Sequence, residues 1–369
     1  MKLIIEQSNL VTKLNSASRF TANKSSSPLL SGYYLSALKD NQLIIRTSSG
    51  SVVYESRVEA KVESVGSCAV PAGLMLSIIK SLEAGEIELN LTEDSLEIVQ
   101  KRSRSQISIM LADNFPDLHR DQLKEKLVLP VEEFVKYGQR VLIAASTDET
   151  KPVLTSLAME MSQPNALVAT DGFRLYRNQV DLSLDEEGRF LLPARVLKDF
   201  FAILEKDSAS TITCWTDSDR QEILFDLGET ALQVSAIQGE FPPYQSIIPD
   251  NVAFSLQVDK ESLVQRVNQA MIFAREFSSI IVFDMDKKDL VISSQTNTKG
   301  KTESRLTCNS IEGEPVRFAC NGKYVQDYLN ATEAEEIRIQ GNESLKPVLF
   351  SNAESDRELY LIMPFKLQE

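Results

Sequence analysis

The chain is poor in the side chains that do chemistry or staple a fold. Its 369 residues include one histidine, His119, and four cysteines, Cys68, Cys214, Cys308 and Cys320, with no Cys-x-x-Cys spacing. A disulfide framework and a Cys/His zinc site are therefore excluded, and buried free thiols are expected. No run approaches the roughly 18 apolar residues of a membrane helix. The N-terminal run Leu3-Ile4-Ile5 is cut by Glu6, too early for a secretory signal, so the cytoplasm is the expected compartment. Basic excess is missing too: 39 Lys and Arg face 53 Asp and Glu, a formal charge of −14.

Catalytic patterns are equally sparse. Neither Gly-x-Ser-x-Gly nor His-Glu-x-x-His occurs, and His119 reads as a surface residue without a role. Lys299-Gly300-Lys301-Thr302 lacks the upstream glycine of a phosphate loop and reads as a solvated loop. The acidic runs Glu132-Glu133, Asp185-Glu186-Glu187 and Glu333 to Glu336 read as solvated faces. Neither metal nor cofactor is expected, and any enzyme reading rests on carboxylates alone.

What is present is repetition. At 43% hydrophobic and 25% charged, the composition supplies packed cores under a wet surface. Three copies of one element order follow each other at a period of about 125 residues. Each opens with a short apolar strand feeding an amphipathic helix: Leu3 to Ile5 then Leu10 and Leu14; Leu127 to Leu129 then Phe134 and Val141; Phe254 to Val258 then Leu263, Val267 and Met271. Hairpins then turn at Asp40-Asn41, Pro164-Asn165 and Lys287-Lys288. Second helices start at Pro71, Pro193 and Asn321, with oily faces Leu74, Ile78, Ile79, Leu82; Val196, Leu197, Phe200, Phe201, Leu204; and Tyr324, Val325, Tyr328, Leu329. A closing hairpin and the marks Phe115-Pro116, Phe241-Pro242 and Met363-Pro364 end the copies. The fold class is α+β, each copy carrying two helices on antiparallel sheet, with boundaries at 1–125, 126–251 and 252–369.

One segment departs from the repeat. Asp171-Gly172 after the strand Leu167 to Thr170 is a tight-turn signal. Two readings are open: a tight turn and no more, or a turn that presents Phe173, Arg174 and Leu175 side by side, an apolar pair with a donor fork, as in a peptide-binding pocket.

On these residues the chain resembles the bacterial DNA sliding clamps, the beta subunits of DNA polymerase III, over its whole length. The family's Ala-Thr-Asp-Gly-His-Arg-Leu is matched by Ala169 to Leu175, with Phe173 for histidine. Its Ser-Thr-Asp-Glu-Ser-Arg-Pro-Val-Leu is matched by Ser146 to Leu154, its Phe-Pro-Asp-Tyr by Phe241-Pro242-Pro243-Tyr244, and its Met-Pro-Met-Arg-Leu by Met363-Pro364-Phe365-Lys366-Leu367. The resemblance implies a clamp fold in which two chains, joined head to tail through their first and third domains, close a ring of six domains around duplex DNA without chemistry of their own. It implies a groove for Gln-Leu-x-Leu-Phe-type peptides of the replicative polymerase, the clamp loader, and repair and translesion polymerases. That groove would be lined by Leu154, Thr170, Gly172, Phe173, Arg174, Leu175, Pro242, Ile247, Ile362, Met363, Pro364 and Phe365, with Arg174 meeting the peptide's polar atoms.

The acidic total suits such a ring, because topology rather than affinity keeps it on DNA and only the lining need be basic. Lining candidates are Lys24, Lys80, Arg140, Lys151, Arg195, Lys198 and Arg266. By position, Ile78, Ile107 and Ile109 would meet Ile272 and Phe273 at the dimer joint. Gly73 and Ser246 stand where many relatives carry a basic residue, and Lys299 and Lys301 with Glu303 replace an acidic cluster at the joint. Two other readings stay open: a peptide-binding scaffold without the ring, and a carboxylate hydrolase using Asp171.

Overall fold

The computed structural model describes residues 1–22, 27–120, 123, 125–162, 164–181, 188–217, 221–249, 251–275, 279–296 and 300–366. Six α-helices occur among them: α1 (Gln7–Ser18), α2 (Ala72–Ser81), α3 (Val131–Leu142), α4 (Ala194–Leu204), α5 (Lys260–Ala274) and α6 (Gly322–Ala331). The chain forms two compact units, Met1–Val131 with Asp199–Ala236, and Glu132–Lys198 with Ile237–Glu369.

In the first unit, a five-stranded sheet ends at the edge strand Ser103–Ser108. An eight-stranded sheet joins two sets of four strands. Thr230–Ser235, from the middle repeat, pairs antiparallel with Val52–Glu59, from the first, and sets Leu232 opposite Tyr54. The second unit repeats the device. Arg174–Gln179, from the middle repeat, pairs antiparallel with Glu358–Ile362, from the third, with Tyr176 opposite Tyr360 in a nine-stranded sheet. Its four-stranded sheet has Gly300–Thr307 at one edge. The middle repeat therefore gives half its strands to each of the two large sheets.

Periodicity places most helix faces correctly. Leu10, Leu14 and Ala17 of α1 are buried, as are Leu263, Val267 and Met271 of α5, and Leu197, Phe200, Phe201 and Leu204 in and after the middle of α4. Each of these leucine, valine, methionine and phenylalanine side chains gains about 1.5–3 kcal/mol on full burial. Leu74 is a correction: Ile79 of the expected face of α2 is buried, but Met75 rather than Leu74 joins it in the core, and Leu74 is 51% exposed. A second correction concerns Gly300-Lys301-Thr302, which opens a strand rather than a solvated loop. Lys301, Glu303 and Arg305 alternate outward while Ser304 and Leu306 point in, a period of two masked by polar residues on both faces. Lys299 and the run Asp185 to Glu187 lie outside the described residues. Cys68, Cys214 and Cys320 are buried free thiols and Cys308 is half-buried; burial pushes Cys68 and Cys308 up to about 11.

Helix starts follow local chemistry. Asn321 Oδ1 accepts from the Lys323 N–H at 3.0 Å, and Asp259 Oδ1 accepts from the Ser262 N–H at 2.8 Å, capping α5. The hydrogen bond to Ser262 holds the Asp259 carboxyl below its ordinary 3.8. A depressed folded-state value means the cap stabilises above the ordinary value and loses its effect as pH falls through the depressed one. Asp259→Ala is expected to cost about 1 kcal/mol at neutral pH. Chemical denaturation at a series of pH values checks it: the gap between wild type and variant should close in strong acid, and a pH-independent gap refutes the cap.

Candidate functional site

The turn after Ala166–Thr170 is built by its own side chains. Gly172 takes φ +91°, a left-handed conformation open to glycine at no cost. Asp171 Oδ1 accepts from the N–H groups of Phe173 at 2.9 Å and Arg174 at 3.0 Å. Thr170 Oγ1 donates to the Arg174 carbonyl at 2.6 Å and accepts from the Gly172 N–H at 3.0 Å. With the backbone fixed, Phe173 is held outward, 61% exposed. Its carbonyl accepts from the Met363 N–H at 2.8 Å, and the Phe365 N–H donates to the Ala319 carbonyl at 2.8 Å. The turn and the C-terminal tail are thus stitched edge to edge.

Arg174, expected to meet a peptide's polar atoms, is already bonded within the chain through part of its guanidinium. Its Nε donates to Asp171 Oδ2 at 3.0 Å, one terminal nitrogen donates to Asp327 Oδ2 at 2.6 Å, and the guanidinium lies 4.3 Å from the centre of the Tyr324 ring. Asp327 and Tyr324 belong to α6, so the arginine pins the turn to that helix. Asp171 has both oxygens committed to this turn, an arrangement of structure rather than of acid catalysis.

Below the turn lies one core shared by the segments the sequence singled out. Leu175, Phe241, Tyr244 and Leu361 are buried in it, with Val153 and Ile248 packed against it. The Tyr244 hydroxyl donates to Glu160 at 2.7 Å, and Arg189 donates to the same carboxylate at 2.6 Å. This fixes the short helical turn Tyr244–Ile247, in which the Ser246 hydroxyl donates to the Pro243 carbonyl. Above the core, Phe173, Ile247, Met363 and Phe365 are exposed large apolar side chains, Pro242 is exposed, and Leu154 and Pro364 are half-buried. Thr170, Leu175 and Ile362 are buried and support the surface from beneath.

The candidate cations separate into two classes. Lys80, Lys151, Arg195 and Lys198 are exposed and Arg266 is half-buried; Lys24 lies outside the described residues. Arg140 is a correction: it is 9% exposed, bonded to Glu333 at 2.7 Å and 3.6 Å from Glu358, so its charge is spent inside the unit. Of the joint residues, Ile272 is 70% exposed and Ile78, Ile109 and Phe273 are half-buried. Ile107 is buried in its own core and offers no surface. The sequence reading missed Leu74 and Leu111 as surface residues, both exposed; Leu74, at a helical position, reads as core unless a partner is known, and Leu111 lies outside any helix or strand. His119 is on the surface but engaged, its ring Nδ1 3.1 Å from Glu222 Oε2 and its backbone N–H donating to Gln233 Oε1 at 2.7 Å.

Comparison with known proteins settles the kinship. Family models of the DNA polymerase III beta subunit match its N-terminal domain at residues 1–119, its central domain at 128–243 and its C-terminal domain at 245–366. The chain belongs to the DNA polymerase III beta subunit family. The Beta sliding clamp of Synechocystis sp. is 28% identical over 391 residues, covering all of both chains, and that of Chlamydia muridarum is 24% identical, also end to end. The beta subunit structure from Thermotoga maritima aligns at TM-score 0.91 with 25% identity over the full length of both chains. The Bacillus subtilis sliding clamp shares the fold at TM-score 0.93 and 22% identity, again over both full chains. As a sliding clamp, the chain is a processivity factor of DNA replication rather than a catalytic enzyme. Among the described residues, no helix is long and apolar enough to cross a membrane.

In this clamp, Arg174→Ala leaves two largely covered carboxylates without their cation. A loss of about 2 kcal/mol is expected, below the range for a fully buried pair because Asp327 keeps some solvent. Arg174→Lys should fall between wild type and alanine, since a point charge cannot bridge both acids. Denaturation midpoints check the order; equal stability of all three removes the pin.

Proposed function

We propose that the clamp acts as a homodimeric ring of three-domain chains, divided at 1–125, 126–251 and 252–369. The carrying observation is a shared edge register. Val52–Glu59, Arg174–Gln179 and Gly300–Thr307 occupy the same place in the three repeats, and so do Ser103–Ser108, Thr230–Ser235 and Glu358–Ile362. Both joints within the chain pair a strand of the second kind with one of the first, Leu232 opposite Tyr54 and Tyr360 opposite Tyr176. Ser103–Ser108 and Gly300–Thr307 remain at sheet edges, and two copies can pair them with each other, since exposed edges invite strand addition. Carrying the register across puts Ser105 opposite Thr302 of the partner subunit, and the exposed Arg104 opposite Glu303 of the partner subunit. Leu74, Ile78, Ile109, Leu111, Ile272 and Phe273 supply apolar surface beside the joint.

A cross-strand charge pair is worth up to about 1 kcal/mol, and like charges opposite each other are unfavourable. Arg104→Glu or Glu303→Arg alone should weaken the dimer by about tenfold, and the double swap should restore it. Sedimentation velocity across a dilution series measures this. A wild type that is monomeric at micromolar concentration sinks the ring and favours the scaffold reading.

The second part of the proposal is the groove. Phe173, Ile247, Met363 and Phe365 form an apolar surface edged by backbone groups, suited to an extended peptide that drops leucine and phenylalanine into it. The occupants are Gln-Leu-x-Leu-Phe-type segments of the polymerase, the clamp loader, and repair and translesion polymerases, in the cytoplasm. Exposed Lys80, Lys151, Arg195 and Lys198, with Arg266, serve duplex DNA as sequence-independent phosphate contacts. Fluorescence anisotropy with a labelled Gln-Leu-x-Leu-Phe peptide tests the groove. Phe173→Glu and Met363→Glu, which alter exposed positions without touching the core, should each weaken binding at least about tenfold; Phe173→His should shift the ranking of a peptide panel. Undiminished binding by both acidic variants moves the peptide elsewhere.

A further inference from the structure

The two joints within the chain share a backbone register but bury different polar side chains. Helices α1, α3 and α5 open the three repeats, and their tenth residues, Ser16, Arg140 and Gln269, hold the same place. On the paired strands, Ser56 lies opposite Thr230 in the first joint and Asn178 opposite Glu358 in the second. The first joint holds a hydroxyl set, in which Tyr54 meets Ser56, Thr230 and Ser16. The second holds an ionic set. Arg140 lies 3.6 Å from Glu358, both are buried, and the phenols of Tyr176 and Tyr328 face the same carboxylate. In the first unit the place of the arginine is a cleft of about 270 Å3 bordered by Ser16, Tyr54 and Thr230. Its cations Lys13 and Arg19 are taken by Glu229 and Asp199. The third repeat differs again: Ser304, on the edge strand Gly300–Thr307, donates to Gln269 Oε1 at 2.7 Å.

We propose that these polar sets assign each strand edge to its own partner. Main-chain ladders cannot do so, because an open edge accepts any strand that fits its register. The Glu358 strand set on the Val52–Glu59 edge would bury a carboxylate among hydroxyls with no free cation to meet it. The Thr230 strand set on the Arg174–Gln179 edge would leave Arg140 facing a hydroxyl. An uncompensated buried charge is strongly unfavourable, whereas a matched buried pair adds little stability, so the pair acts on the choice of partner. Exchange of one edge for another is the domain-swapping error open to a chain built of repeats. The first two sets stand on the joints seen within the chain, and only the role of the third rests on the proposed ring.

The test is refolding of the full-length protein from urea at micromolar concentration, with the fraction of species larger than the never-unfolded protein measured by gel filtration and light scattering. Arg140→Met with Glu358→Leu replaces the pair by apolar side chains of similar size. It should keep the wild-type Tm or exceed it, yet form several-fold more of the larger species. Ser16→Arg with Thr230→Glu copies the pair into the first joint, should raise that fraction as well, and carries the test if the first variant does not fold. Glu83→Gln with Lys101→Gln removes an exposed ion pair and should refold as wild type. Refolding as clean as wild type by either joint variant, or an equal excess of large species in the exposed-pair control, overturns the assignment. An excess that comes with a matching loss of Tm makes the pair merely structural and overturns it too. The reference is the size of the never-unfolded protein, monomer or dimer, so failure of the ring is read apart from failure of the assignment.

Discussion

Everything in this chain depends on main-chain hydrogen bonding at strand edges. Each repeat makes sheets with open edges, and an unpaired row of N–H and C=O groups is a liability. Two such rows are paired inside the chain, Val52–Glu59 with Thr230–Ser235 and Arg174–Gln179 with Glu358–Ile362. The middle repeat has strands in both large sheets as a result, and three similar modules of sequence become two compact units in space. Backbone pairing carries no side-chain identity, which explains how structures at 22–25% identity keep the same architecture end to end.

The proposed groove borrows its rigidity from one of those joints. Arg174 pairs with Ile362 across it, so the turn bearing Phe173 and the tail bearing Met363 are fixed relative to each other before any side chain is considered. The Arg174 bonds to Asp171 and Asp327 then lock the turn against α6. A preformed apolar surface of this kind loses little entropy when a peptide docks, and the ordering cost falls on the peptide alone.

Helix existence, hairpin turns and the order of elements were legible in the sequence because they rest on local periodicity and turn chemistry, as with Leu10 and Leu14 or Asp171-Gly172. What periodicity cannot report is which neighbour covers a face. Leu74 and Ile107 carry the same apolar signal, yet one is in solvent and the other in a core. Arg174 and Arg140 likewise read as available charges, although carboxylates far away in sequence, Asp327 for one and Glu333 and Glu358 for the other, consume them. The strand at Gly300 was missed for the converse reason: an edge strand blunted by Lys301, Glu303 and Arg305 hides its alternation behind polar residues, as protected edges do.

Those consumed charges bear on how an acidic protein can serve DNA. Each phosphate contact made by a free cation adds affinity through counterion release, with a logarithmic salt slope of roughly 0.9 per contact. A full complement of unpaired cations would make a strong static binder. Here Arg140 is neutralised within its unit, and Lys13 and Arg19 are partly neutralised by Glu229 and Asp199. In the proposed ring each remaining phosphate contact would be weak and exchangeable, so that stepping from one phosphate to the next would cost little. A closed ring needs no more than that, because escape is prevented by linkage and affinity is left free to be as low as sliding demands.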